Sequence, residues 1–167
     1  MKHMFRLLLV IFSFVITTYS WAELKDFEGK PQKLDNYTGN GKWTVVMFWA
    51  SDCHVCNAEV KQYIQFDQAH KAKDASILGI SLDGQANLEA ARNFISRHSV
   101  SFPNLVGEPE EVADLYQTLT NTAWVGTPTF LVYSPGGELK AAQAGAVPAD
   151  LIEQFIKDNT NTAAKSK

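Results

Sequence analysis

Two cysteines, Cys53 and Cys56, stand three positions apart in the stretch WTVVMFWASDCHVCNAEV at 43–60, and the 167-residue chain has no others. Sulfur at this spacing can staple the chain, ligate a metal, or cycle between dithiol and disulfide. The residues ahead of the pair bear on the choice. Residues 45–49 form an unbroken apolar run, rich in β-branched and aromatic side chains, which suits a strand covered on both faces. Ala50, Ser51 and Asp52 break the run, and Ser51 and Asp52 are both N-cap types. The cysteines then open the first helical turn. A helix N-terminus carries about half a unit of positive charge and unpaired N–H groups. A thiol held there ionises more readily, and the thiolate is the nucleophile. The arrangement predicts one exposed, activated sulfur, Cys53, with Cys56 one turn away to close a disulfide.

A staple is the weaker use of such a pair. In the chain-entropy model, closing a four-residue loop stabilises by about 2 kcal/mol, against about 4.7 kcal/mol for a loop of about 100 residues. Zinc is also weak. A closed structural site takes four ligands; the pair supplies two and His54 adjoins them, but His70 lies roughly 20 Å farther along a helix. His98 reads as a surface residue. No metal or other cofactor is expected. In the exchange reading Cys53 attacks a substrate disulfide and Cys56 resolves the mixed disulfide. His54, when protonated, favours the Cys53 thiolate, whereas Asp52 opposes it through like charge; alternatively His54 only covers the outer face of the motif. Glu59 falls three residues after Cys56, on that cysteine's side of the helix. A half-buried carboxylate there has a raised pKa and can exchange a proton with the resolving thiol. A solvated helix residue is the plainer reading.

The elements that must hold this pair follow from periodicity. Residues 53–71 read as a helix with a stripe of Val60, Tyr63 and Ile64. Residues 76–82 form a second buried strand, ended by Asp83-Gly84. Helices follow at 87–99 and 110–119, the second with Pro109 in its first turn. Residues 129–133 and 138–144 make a hairpin around Pro135-Gly136-Gly137. Pro148 opens a last helix striped by Leu151, Ile152, Phe155 and Ile156. The lead-in at 23–42 is turn-rich and carries no evident chemistry. Strands alternating with helices indicate a layered α/β domain.

An apolar content of 46% and a charged content of 20% suit one globular domain with a core. A formal net charge of −3 gives no footprint for nucleic acid or an anionic membrane. At the N-terminus, Lys2 and Arg6 precede an apolar run at 7–16, and Ser20-Trp21-Ala22 follows. This is the layout of a secretory signal peptide cut after Ala22. A bilayer-spanning helix needs about 20 apolar residues, so an uncleaved anchor requires the run to extend to Trp21. The expected organisation is a signal peptide at 1–22, one domain at 23–159, and a disordered tail at 160–167. Export places the sulfur pair in an oxidising compartment.

The segments MFWASDCHVC and GTPTFLVYSPGG together resemble the thioredoxin superfamily, most closely its ResA/TlpA-type extracytoplasmic thiol-disulfide oxidoreductases, over about residues 26–155. The resemblance implies a thioredoxin-like α/β fold, a central mixed sheet flanked by helices, with the group's central insertion after the second buried strand. Thr127-Pro128 matches the family's cis-proline loop, which faces the first cysteine and whose preceding residue pairs with the substrate backbone; an ordinary trans proline opening a strand is the other reading. Glu59 matches a functional glutamate of ResA-type proteins. Trp124, beside the proline loop, either lines a substrate groove or packs into the core, and Trp49 should lie beneath the site. Three departures stand out. Lys61 replaces a frequent helix-kinking proline, so the first helix should be straighter. Met47 replaces the buried aspartate of thioredoxins proper. Ala50 stands where the related peroxiredoxins carry a threonine. The implied protein is a monomeric, periplasmic or otherwise extracytoplasmic reductase of the cytochrome c maturation type. It would act on protein cysteines and draw electrons from a membrane donor, without nucleic acid. A redox-inert binding module or metal carrier on the same fold is the alternative.

Overall fold

The computed structural model describes residues 23–165; the expected signal peptide lies outside the described residues. In chain order the elements are β1 (Leu24–Lys25), β2 (Pro31–Gln32), a 3-10 turn (Leu34–Asn36), β3 (Trp43–Trp49), α1 (His54–His70), β4 (Ala75–Ser81), α2 (Leu88–His98), β5 (Asn104–Val106), α3 (Pro109–Thr120), β6 (Thr129–Tyr133), β7 (Leu139–Ala144) and α4 (Ala149–Lys165). They build one seven-stranded sheet in the order β2-β1-β5-β4-β3-β6-β7. β3, β4 and β5 run parallel, and β6 pairs antiparallel with β3.

The continuous apolar run of β3 has the burial such a run requires, since every residue of the strand is buried. Alternate side chains serve opposite faces. Val45, Met47 and Trp49 join one cluster with Tyr63 of α1, Phe94 of α2 and Ile152 of α4. Val46 and Phe48 join the other with Val112 and Tyr116 of α3. Helices therefore cover both faces of a mixed sheet, as expected. The stretch read as an insertion holds α2, β5 and α3. α1 runs unbroken through Lys61, which donates its backbone N–H where a proline cannot.

Gly79 is where a missing side chain matters most. A Cβ there would lie 1.9 Å from Asn104 Oδ1 and 2.9 Å from Trp49 Nε1. The bare backbone lets Asn104 reach across β4 and accept the Trp49 indole N–H at 3.0 Å.

One expectation is corrected. Residues 160–165, read as a disordered tail, continue α4. Thr160 accepts the Trp43 indole N–H at 3.0 Å and donates to the Ile156 carbonyl at 2.8 Å. Its neighbours are polar and small, but one buried indole needing an acceptor anchors the turn.

Candidate active site

The register of the sheet brings the chemistry to one end. Trp49 is level with Ser81 across the parallel pair, and Phe48 is level with Thr129 across the antiparallel one. Loops 50–53, 82–87 and 126–128 therefore emerge together, at the carboxyl ends of β3 and β4, where open α/β sheets place their sites.

Cys53 is itself the N-cap of α1, with extended backbone, and its sulfur accepts the Cys56 N–H at 3.0 Å. Ser51 and Asp52, expected as caps, do not fill that role. The two sulfurs are bonded at 2.19 Å. Their exposures differ sharply: Cys56 is 0% exposed, while Cys53 is half-buried at the surface. An attacking reagent can reach one sulfur and not the other. Asp52 and His54 are exposed beside the pair, and Val55 is 40% exposed between them.

Ser51 has a different task. Its N–H and hydroxyl donate to the buried Asp83 carboxylate at 3.0 and 2.5 Å, and Ser81 donates to the same group at 2.6 Å. Asn57 holds the other side of the loop. Its Nδ2 donates to the Ser51 carbonyl at 3.0 Å and to the Cys53 carbonyl at 2.9 Å. Arg97 Nη2 and His98 Nε2 of α2 contact its Oδ1 at 2.8 and 2.9 Å. His98, read from sequence as a surface residue, is instead half-buried against Phe94. Burial holds its pKa below the usual histidine value, and the Arg97 charge adds to that. Neither Asp83 nor Asn57 stood out in the sequence. The partners that define their roles, Ser51 for Asp83 and Arg97 and His98 for Asn57, lie 32 and about 40 residues away.

Glu59 is half-buried on α1, and its carboxylate accepts from Gln62. Gln62 in turn accepts the Ala149 N–H at 2.7 Å, tying this face of α1 to the start of α4. Tyr63, one turn on, donates its hydroxyl to the Val147 carbonyl at 2.8 Å. Burial pushes the Tyr63 phenol up to about 12, partly offset by that bond and reinforced by the charge of Glu59.

The Thr127–Pro128 peptide is cis. Thr127 is half-buried, and Thr129 donates to the Gly126 carbonyl at 2.7 Å, closing the loop. Val125 ahead of it is 74% exposed. Trp124 packs edge-on against Phe48 and Tyr116 at 5.5 and 5.2 Å, so its ring belongs to the core side of the loop. Trp49 stacks on Phe94 at 4.3 Å directly below the cysteine loop. Among the described residues no three His, Cys, Asp or Glu side chains are grouped to hold a metal ion. His70 is occupied elsewhere, against Asp74 at 2.9 Å and stacked on Phe66.

Comparison with known proteins agrees with this geometry. Residues 20–142 match the model of the AhpC/TSA family. The chain is 23% identical over 136 residues to the sporulation thiol-disulfide oxidoreductase A of Bacillus subtilis (strain 168), covering 81% of this chain and 77% of that one. It is 30% identical over 140 residues to the thiol-disulfide oxidoreductase ResA of Oceanobacillus iheyensis, covering 83% of this chain but 62% of the relative's length. Among solved structures, a thiol:disulfide interchange protein of the thioredoxin family from Chlorobium tepidum TLS superposes with a TM-score of 0.66 at 20% identity, over 80% of this chain and 88% of that one.

Proposed function

From the premise that this chain belongs to the AhpC/TSA family, within the thioredoxin-like fold, we propose that it is a thiol-disulfide oxidoreductase acting on protein cysteines through Cys53 and Cys56. One observation carries the reading. An accessible sulfur caps a helix and receives a backbone N–H, and its bonded partner is wholly buried one turn away. The N–H and the helix N-terminus favour the Cys53 thiolate.

In the reducing direction the Cys53 thiolate attacks one sulfur of a substrate disulfide. The substrate S–S bond breaks, a mixed disulfide forms, and the first substrate thiolate leaves. Cys56, deprotonated, then attacks Cys53 Sγ and expels the second substrate thiolate. The substrate gains two electrons and two protons, and the pair ends as the disulfide seen here. Glu59, three residues beyond Cys56 and half-buried, is the group to take the Cys56 proton. Thr127 offers its backbone to the substrate chain beside Pro128, and the exposed Val125 and Val55 border that approach. The exposed His54 favours the Cys53 thiolate when protonated.

The resemblance to ResA-type proteins supports a reductase, of the cytochrome c maturation type, exported by the segment at 1–22, monomeric, and recharged by a membrane-held dithiol donor. Peroxidase chemistry has less support: Ala50 supplies no hydroxyl three residues ahead of Cys53. The decisive test is insulin reduction with dithiothreitol, wild type against Cys53→Ser, together with the reduction potential of the pair. Activity lost with Cys53 and a potential near about −270 mV support the reductase, and a value near about −120 mV makes it a disulfide donor. No difference between the two proteins refutes the exchange reading and leaves a binding module or metal carrier on this fold.

A further inference from the structure

We propose that Asn57 is a positioning residue for the Cys53 thiolate, and that it relays the cation of α2 to the reactive loop. The inference rests on Cys53 being the attacking thiol. The orientation of the Asn57 amide is fixed by its partners' chemistry. A guanidinium has donors and no acceptor, so the atom facing Arg97 Nη2 at 2.8 Å must be the oxygen. The –NH2 end is then turned to the Ser51 and Cys53 carbonyls, and both of its hydrogens are used. By the same logic His98 Nε2 carries a proton and donates to Oδ1.

This orientation has an electrostatic consequence. The Ser51 and Cys53 carbonyl oxygens are partial negative charges on the loop that carries the sulfur. Asn57 sets two N–H groups on them, its positive end toward the loop and its negative end toward Arg97. The Cys53 carbonyl also accepts the Asn57 backbone N–H at 3.0 Å. With Asp83 gripping Ser51 from the other side, the loop is held so that Sγ stays over the Cys56 N–H. The charged and titratable groups around the loop are Asp52, His54 and Glu59 on its own segment, Asp83 after β4, and Arg97 and His98 on α2. Only the last two act through Asn57.

The test uses the full, reduced protein. The rate of single alkylation by iodoacetamide is read against pH for the wild type, Asn57→Asp, Arg97→Met, Asn57→Ala, and Asn57→Ala combined with Arg97→Met. Asn57→Asp removes both donors but also adds a carboxylate charge that by itself disfavours the thiolate, so Asn57→Ala, which removes the donors without adding charge, is the variant that isolates them. Asn57→Ala should raise the midpoint by about one pH unit, a tenfold loss of thiolate at fixed pH below it. Arg97→Met, at an exposed position, should shift the midpoint the same way by less, and should add nothing in the Asn57→Ala background. A purely structural Asn57 would lower the melting temperature and leave the alkylation profile in place, which overturns the inference. An Arg97→Met shift of equal size with and without Asn57 overturns the relay, as does no shift in Arg97→Met should Asn57→Ala fail to fold. A wild-type midpoint at that of free cysteine, about 8.5, overturns the reading of the site and this inference with it. A depressed wild-type midpoint that Asn57→Ala leaves unmoved overturns this inference alone.

Discussion

Replacing Gly79 with alanine should be among the costliest single-methyl changes in this fold. The new Cβ would stand 1.9 Å from Asn104 Oδ1 and 2.9 Å from Asn104 Cγ, so the Asn104 side chain must leave. Its departure removes the acceptor of the Trp49 indole N–H, in a side chain 1% exposed, and breaks the Asn104 bond to the Phe102 carbonyl. An orphaned buried donor costs about 1–3 kcal/mol, and forcing a methyl into a filled core about 1–3 kcal/mol more. The expected loss is therefore about 2–6 kcal/mol. Urea unfolding followed by circular dichroism measures it as a lower midpoint at unchanged slope. Asn104→Ala alone should lose only the orphaning part. The double variant should stay close to Asn104→Ala, since the displaced side chain is already gone; the indole nitrogen, 2.9 Å from the same point, must still give slightly. A Gly79→Ala protein within about 0.5 kcal/mol of wild type, or a double variant whose loss is the simple sum, refutes the reasoning.

Other consequences can be checked the same way. Cys56→Ser should leave Cys53 covalently caught by its substrate, because the buried resolving sulfur is missing; non-reducing gels should show a thiol-sensitive adduct that Cys53→Ser abolishes. Thr160→Val should cost about 1–3 kcal/mol by orphaning the Trp43 indole N–H, read by urea unfolding. Tyr63 and Tyr133 are both pushed up to about 12, first by burial. Between pH 10 and about 12 the unfolded chain ionises at both while the folded one holds its protons. Stability should therefore fall across that window, by at most about 1.4 kcal/mol per pH unit for each tyrosine. Tyr63→Phe should flatten that decline, as measured by urea midpoints at successive pH values.

Much of this was legible in the residues themselves. The run at 45–49 marked a strand buried on both faces because no polar residue interrupts it, and β4, β6, β7 and the four helices followed from local period; β5, only three residues long, carried too little pattern to be read. The cysteine pair was legible because its relation lies within one turn of one helix. Asp83 and Asn57 were not, because their roles exist only once β4 and α2 have folded back onto the loop; nothing local distinguishes Asp83 from a turn aspartate. The helical end of α4 was missed for the same reason, as its anchor is a tryptophan more than a hundred residues earlier. Capping by Cys53 rather than Ser51 or Asp52 reflects the Asp83 bond, which takes the Ser51 hydroxyl away from the helix.

The route of the chain through its first strand has a practical bearing. β1 runs antiparallel to β5, and Lys25 is level with Val106, itself level with Ser81, beside Trp49. Glu23, hydrogen-bonded to Glu111, thus enters the domain on the rim that carries the sulfurs, three strands or about 14 Å to one side. α4 leads away to the opposite rim, where Thr160 meets the first residue of β3. A bulky fusion ahead of Glu23 would crowd the face that receives other proteins, and one following α4 would hang clear of it. By the same geometry, a short leash in front would aim that face at whatever surface it is fastened to.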